Sequence, residues 1–147
     1  MTIFSSLRTS ATGLSAERLR MDLIANNLAN AETTRTDEGG PYVRQVAVFK
    51  PYRSFESILD DKMGGVQGVT VEKIMKDKAP FRLEYEPNHP DAIQEEGELK
   101  GYVRYPNVNP VKEMIDMISA SRAYEANVTV MNSAKSMAMK ALEIGRG

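Results

Sequence analysis

The stretch 109–145, NPVKEMIDMISASRAYEANVTVMNSAKSMAMKALEIG, decides the fold. It opens with two helix-start signals. Asn109 is a natural N-cap, and Pro110 suits the first helical position, where its missing N–H would have no partner anyway. From 111 to 144 there is neither Gly nor Pro, and Gly145 supplies a stop. A helix over those residues is about 51 Å long at 1.5 Å per residue. Unbroken length of that kind predicts a coiled coil. Its apolar seam is expected on two heptad rows, Met117, Tyr124, Met131, Ala138 and Met114, Ser121, Val128, Leu142, with Lys135 as a polar interruption. Five of the nine methionines lie here, at 114, 117, 131, 137 and 139. They fill a core, or form a flexible face that meets slightly different neighbours.

A partner helix stands at the other end of the chain. Leu7, Leu14, Met21 and Leu28 recur every seven residues, flanked by Phe4, Ala11 and Ala25, and by Ile3 and Ile24. This predicts a helix over 3–30, with Gly13 as its one weak point. Asn26, Asn27 and Asn30 are poor interior residues for a solvated helix. They either cap a fraying end or make amide hydrogen bonds across a packed helix interface.

Between the two helices the sequence changes character. Eight of the ten aromatics lie between Tyr42 and Tyr105, and six of the seven prolines and seven of the ten glycines lie within 35–109. Strands are expected at 42–49 (YVRQVAVF), 66–74, 81–85 (FRLEY) and 101–105, forming a small antiparallel sheet or open barrel. Residues 53–65 are either a loop or a turn of helix. The expected fold is therefore α+β: long N- and C-terminal helices pairing as an antiparallel coiled coil, with a small β-rich domain inserted between them. Its zones are 1–34, 35–109 and 110–147, the last pairing with the first. Neither helix is expected to be stable alone in water.

Composition removes most chemistry. The chain has 147 residues, 19 Lys and Arg against 20 Asp and Glu, one His and no Cys. Zero cysteines exclude disulfides, Cys-ligated zinc and thiol nucleophiles, and one histidine excludes multi-His metal sites. A net charge of −1 recruits neither nucleic acid nor an anionic membrane. No apolar run is long enough to span a bilayer, and no apolar core of a secretory signal is present. An amphipathic transit peptide is the rival reading for the start of the chain, opposed by Glu17 and Asp22 within the pattern. His89, between Pro87 and Pro90 and near Glu86 and Asp91, reads as a stiff turn. Asp60-Asp61 and Glu95-Glu96-Glu98 read as solvated loop charge, and Gly39-Gly40 as a turn. No nucleophile, base and orienting group occur together, so no catalytic, cofactor or metal residue is expected.

The motifs then resemble a known family. Phe4, Ser10, Gly13-Leu14, Arg18, Arg20-Met21 and the run Ala25-Asn26-Asn27-Leu28-Ala29-Asn30 resemble the N-terminal signature of bacterial flagellar axial proteins. Thr33-Thr34-Arg35-Thr36 with Glu38-Gly39-Gly40-Pro41-Tyr42 is similar to the proximal-rod type among them. So are the turn from Tyr85-Glu86-Pro87 to His89-Pro90-Asp91-Ala92, and Gly101-Tyr102-Val103 with Pro106-Asn107-Val108-Asn109. The C-terminal run, with Glu113-Met114, Met117-Ile118, Arg122-Ala123-Tyr124-Glu125-Ala126-Asn127 and Asn132 to Lys135, resembles the same family.

The resemblance implies a structural subunit of the basal-body rod, the periplasmic drive shaft that carries motor torque to the hook. It implies self-association, contact with other rod proteins and adjacent basal-body components, and passage unfolded through the flagellar type III export apparatus without a cleaved signal peptide. No nucleic acid, small-molecule substrate or cofactor is implied. Assembly is then expected to use Phe4, Leu7, Leu14, Met21, Ile24, Asn26, Asn27, Leu28 and Asn30, with Met114, Met117, Ile118, Tyr124, Asn127, Val128, Met131, Asn132 and Leu142. Asn26, Asn27, Asn30, Asn127 and Asn132 are expected to fix register through amide bonds between subunits. The alternative is a non-enzymatic coiled-coil adaptor that binds one partner helix. Early proteolytic loss near 1–30 and 110–147, around a resistant middle, would favour the rod.

Overall fold

The computed structural model describes residues 3–52 and 68–145, without the side chains of Ile3 and Phe4. The elements run α1 (Ile3–Ala29), β1 (Gln45–Pro51), β2 (Val69–Lys76), β3 (Arg82–Tyr85), β4 (Tyr102–Tyr105) and α2 (Pro110–Ile144). The fold is α+β, with two long helices and a small antiparallel β region between them. The open question at 53–65, and residues 66–67 of the second expected strand, lie outside the described residues.

α2 begins as its sequence dictates. The Asn109 side-chain oxygen accepts hydrogen bonds from the N–H groups of Val111 (3.0 Å) and Lys112 (3.2 Å), satisfying two otherwise orphaned donors. α1 ends on its own amides. Asn30 Nδ2 donates to the Asn26 carbonyl and side-chain oxygens, both at 2.9 Å, and Thr33 Oγ1 donates to Asn30 Oδ1.

The β region departs from the expected single sheet or barrel. Among the described residues it is two separate ribbons, β1 with β2 and β3 with β4. β3 and β4 pair antiparallel, with Arg82 opposite Tyr105 and Tyr85 opposite Tyr102. The strands carry charge along their lengths, including Arg82, Glu84 and Arg104, which discourages further edge pairing. Gly101 enters β4 at φ +82°, where a Cβ would stand 2.8 Å from the Tyr85 ring, so only glycine fits.

Two compact units divide the chain: Met1–Met21 with Ala47–Ile74 and Ile118–Gly147, and Asp22–Val46 with Met75–Met117. In the first, the buried side chains among the described residues are small: Ser10, Ala16, Ala120 and Ala134. Small residues let backbones approach, and the Asn127 side chain lies directly against Gly13. The second unit has a conventional core of Leu23, Ile24, Ala31, Ala92, Val103 and Val108, with Asn27 and Glu113 buried among them. There Asn27 of α1 reaches Glu113 of α2.

Candidate assembly surface

The seam on α2 is only half as expected. Met117, Tyr124, Met131 and Ala138 are half-buried, as that row requires. The second row is displaced by one position. Glu113, Ala120 and Ala134 are buried and Asn127 is half-buried, whereas Met114, Ile118 and Leu142 are 49%, 55% and 72% exposed. Val128 is half-buried and Asn132 exposed. The physical reason is that close helix approach selects small or hydrogen-bonded residues, while a reading of hydrophobicity selects large ones. On α1 the same effect turns the seam. Ser10, Ile24, Asn27 and Ala31 are buried and Leu7, Leu14 and Met21 half-buried. Leu28 is exposed, as is Asn26, while Asn30 is half-buried; the Phe4 side chain lies outside the described residues.

Asn27 is engaged within its own chain. It is 1% exposed, and its amide is saturated within the chain. Nδ2 donates to the Gln45 carbonyl (2.9 Å) and to Glu113 Oε2 (3.1 Å), and Oδ1 accepts from Tyr42 Oη (3.0 Å) and the Gln45 N–H (2.9 Å). Asn127 Nδ2 likewise donates to the Ala123 carbonyl of its own helix.

Around Asn27 stands a buried polar network that the sequence reading did not find. Glu113 has 0% exposure and accepts a 2.7 Å hydrogen bond from Arg44 Nε. Arg44 also lies 3.3 Å from Asp77 and 3.6 Å from Asp116. Its backbone N–H donates to Asn107 Oδ1, whose amide nitrogen donates in turn to the carbonyls of Asp77 and Ala79. Burial alone would lower the Arg44 pKa, but the hydrogen bond and charge of Glu113, then of Asp77, carry it above the ordinary value. The Ala79 N–H holds the Asp77 carboxyl below its usual range against burial, with Arg44 adding to the effect. Burial raises the Tyr42 phenol, and the Glu113 charge raises it further. The network ties the end of α1, the segment before β1, the turn after β2 and the first turn of α2 into one object. Nothing in it is arranged for chemistry on a substrate. The one signal available beforehand was a Glu and an Arg in otherwise ordinary positions.

His89 closes its own turn, with Nδ1 accepting the Asp91 N–H at 3.1 Å. Among the described residues no group of three or more His, Cys, Asp or Glu could hold a metal ion. Among them, too, no helix is long and apolar enough to cross a membrane.

Residues 7–35 match the family described as "Flagella basal body rod protein", and residues 99–144 match "Flagellar basal body rod FlgEFG protein C-terminal". The chain is 54% identical to the flagellar basal-body rod protein FlgC of Borreliella burgdorferi, over 100% of both chains. It is 49% identical to that of Bacillus subtilis, over 99% of this chain and 100% of the relative. The corresponding figure for Escherichia coli O6:H1 is 36%, over 99% and 100%. The chain belongs to the FlgC family of flagellar basal-body rod proteins, and is a structural subunit of the rod.

Proposed function

We propose that this subunit polymerises through its terminal helices, 1–34 and 110–147, with the insert 35–109 between them, into the shaft that carries torque to the hook. One observation carries the reading. The first unit buries only small side chains among its described residues, and several of its large apolar residues stay outside. Val130, Met137, Met139, Leu142 and Ile144 are 50–82% exposed on α2. Monomeric proteins rarely leave apolar surface of that extent in water. At about 25 cal/mol per Å², covering it by neighbours supplies what an isolated helix pair lacks.

At the start of α2, Val111, Met114, Ile115 and Ile118 add an exposed stripe at i, i+3, i+4 and i+7, the spacing by which one helix meets another. A heterologous contact that does not close generates a helical filament. Rigid torque transmission then follows from close packing along the shaft. The partners are further copies, other rod proteins and adjacent basal-body components. Delivery is as an unfolded chain through the flagellar type III export apparatus to the periplasmic rod, without a cleaved signal peptide. The protein works without catalysis, a cofactor or nucleic acid.

Limited proteolysis of the free full-length protein tests this. Cleavage is expected first within 3–21 and 118–144, with 22–46 and 75–117 resisting. Uniform resistance along both helices would contradict it.

A further inference from the structure

Beside the buried row of α2, the first unit leaves a second row exposed. Val130, Met137 and Ile144 recur every seven residues and are 50%, 58% and 82% exposed. Ala126, Ser133 and Ala141 fall between them at steps of three or four, and are exposed as well. The stripe is about 27 Å long at 1.5 Å per residue and has the spacing of a coiled-coil seam. It lies wholly within the first unit, whose buried side chains among the described residues are small.

Met137 stands inside this stripe, with Ser133 and Ala141 one turn to either side and Val130 and Ile144 two turns away. Met139 has nearly the same exposure, 54%, but lies about 160° further around the axis at 3.6 residues per turn. Its neighbours one turn away are Lys135, Ser136 and Glu143, all exposed, with Leu142. Two thioethers equally open to solvent therefore sit in contrasting surroundings, one apolar and one charged.

Methionine is the one apolar side chain that a mild oxidant makes polar. Its sulfur gives an electron pair to one oxygen of a peroxide; an S–O bond forms, the O–O bond breaks, and hydrogen peroxide leaves as water. The sulfoxide oxygen is a hydrogen-bond acceptor, and burying it without a donor is costly. Around Met137 the side chains of Val130, Ala141 and Ile144 offer none. Around Met139 the Lys135 ammonium and water both do.

We propose that Met137 is an oxidation site that controls assembly: a peroxide converts its thioether to the sulfoxide in the free subunit, and the oxidised subunit does not enter the polymer. This rests on the reading that the chain polymerises through its terminal helices, and it assigns the stripe around Met137 to a helix of a second copy. A helix fits because its own side chains repeat at the same steps of three and four, so one contact covers Val130, Met137 and Ile144 together. Once covered, Met137 is spared, so the control acts before assembly. Methionine sulfoxide reductases, one for each sulfoxide epimer, reverse it.

The test uses the unaltered full-length protein, partly oxidised with hydrogen peroxide, quenched, polymerised and sedimented, with sulfoxide at each methionine read by peptide mass spectrometry in both fractions. Circular dichroism confirms that the oxidised protein is folded as before. Met137 sulfoxide should be depleted about tenfold in the polymer relative to the soluble fraction. Met139 sulfoxide should be equally abundant in both. Treatment with both reductases should return the soluble fraction to the polymer. Met137→Leu, which keeps the volume, should recover most of the polymer lost to peroxide, and Met139→Leu none of it. Equal Met137 sulfoxide in the two fractions, or a Met137→Leu protein as sensitive as the unaltered one, would overturn this site and leave self-assembly standing. So would preformed polymer in which Met137 oxidises as fast as in the free subunit. Failure of the untreated protein to polymerise would overturn both.

Discussion

Replacing Arg44 by Met should be among the most damaging single changes in the second unit. The reason is an asymmetry. Glu113 is fully buried, and without Arg44 its remaining side-chain donor among the described residues is Asn27 Nδ2 at 3.1 Å. A buried carboxylate left in that state costs about 3–5 kcal/mol. The 15% exposure of the Arg44 side chain lets some water in once it is gone, which favours the lower part of that range. The reverse change, Glu113→Gln, is milder. Arg44 keeps Asp77 at 3.3 Å and Asp116 at 3.6 Å, and the new amide oxygen still accepts from Asn27. About 1–3 kcal/mol is expected there.

The double change Arg44→Met, Glu113→Leu should recover most of the loss, because both charges leave together and Asn27 retains the Gln45 carbonyl. The assay is hydrogen exchange against urea, read on peptides from 22–46 and 98–117 so that this unit is followed by itself. With a slope of about 2 kcal/mol per molar urea, Arg44→Met moves the midpoint down by about 1.5–2 M. A smaller loss for Arg44→Met than for Glu113→Gln, or a double variant no better than the worse single, would refute the reasoning.

Other outcomes follow from single features. Asn109→Ala removes the cap of α2 and should cost about 1 kcal/mol, seen as faster amide exchange at Val111 and Lys112. Gly101→Ala forces a left-handed φ on an L-residue and drives a Cβ into the Tyr85 ring. A loss of about 1–3 kcal/mol and a changed near-ultraviolet tyrosine signal are expected. Asp77 gives a pH dependence whose sign is fixed. Its folded-state pKa is depressed, so its contribution is present above the unfolded value near 3.8 and lost as pH falls through the lower folded value. Stability of the second unit should therefore decline below about pH 4, and Asp77→Asn should flatten that limb; an unchanged acid limb would remove Asp77 from the account.

The long helices were legible because their signals are local. Asn109-Pro110 starts α2 and an unbroken run continues it, just as the heptad leucines announced α1. The strand at β3 was legible from the alternation in Phe81–Tyr85, and β4 as a short run stopped by Pro106. The sheet was not, because which strands pair is decided by contacts far apart in sequence. The seam was half legible. Its large residues, Met117, Tyr124 and Met131, obey the hydrophobic period, but its tightest positions are Ala120, Ala134, Gly13 and Glu113, which carry no such signal. Asn27 was singled out for amide hydrogen bonding, but its partners within the chain were not legible. Its amide meets Gln45, Tyr42 and Glu113 of its own chain, and a heptad reading has no access to residues brought from 42–45. The division into two units was equally hidden, since the helices run through both without any break in pattern.

The central claim is that the first unit completes its core inside the rod while the second is folded beforehand. Hydrogen exchange of the same full-length protein, free and polymerised, tests this most directly. Residues 22–46 and 75–117 should be protected in both states, and 3–21 and 118–144 should exchange fast when free and slow by at least a hundredfold in the polymer, about 2.7 kcal/mol of added protection. Terminal helices already protected in the free protein, or unchanged on polymerisation, would contradict it.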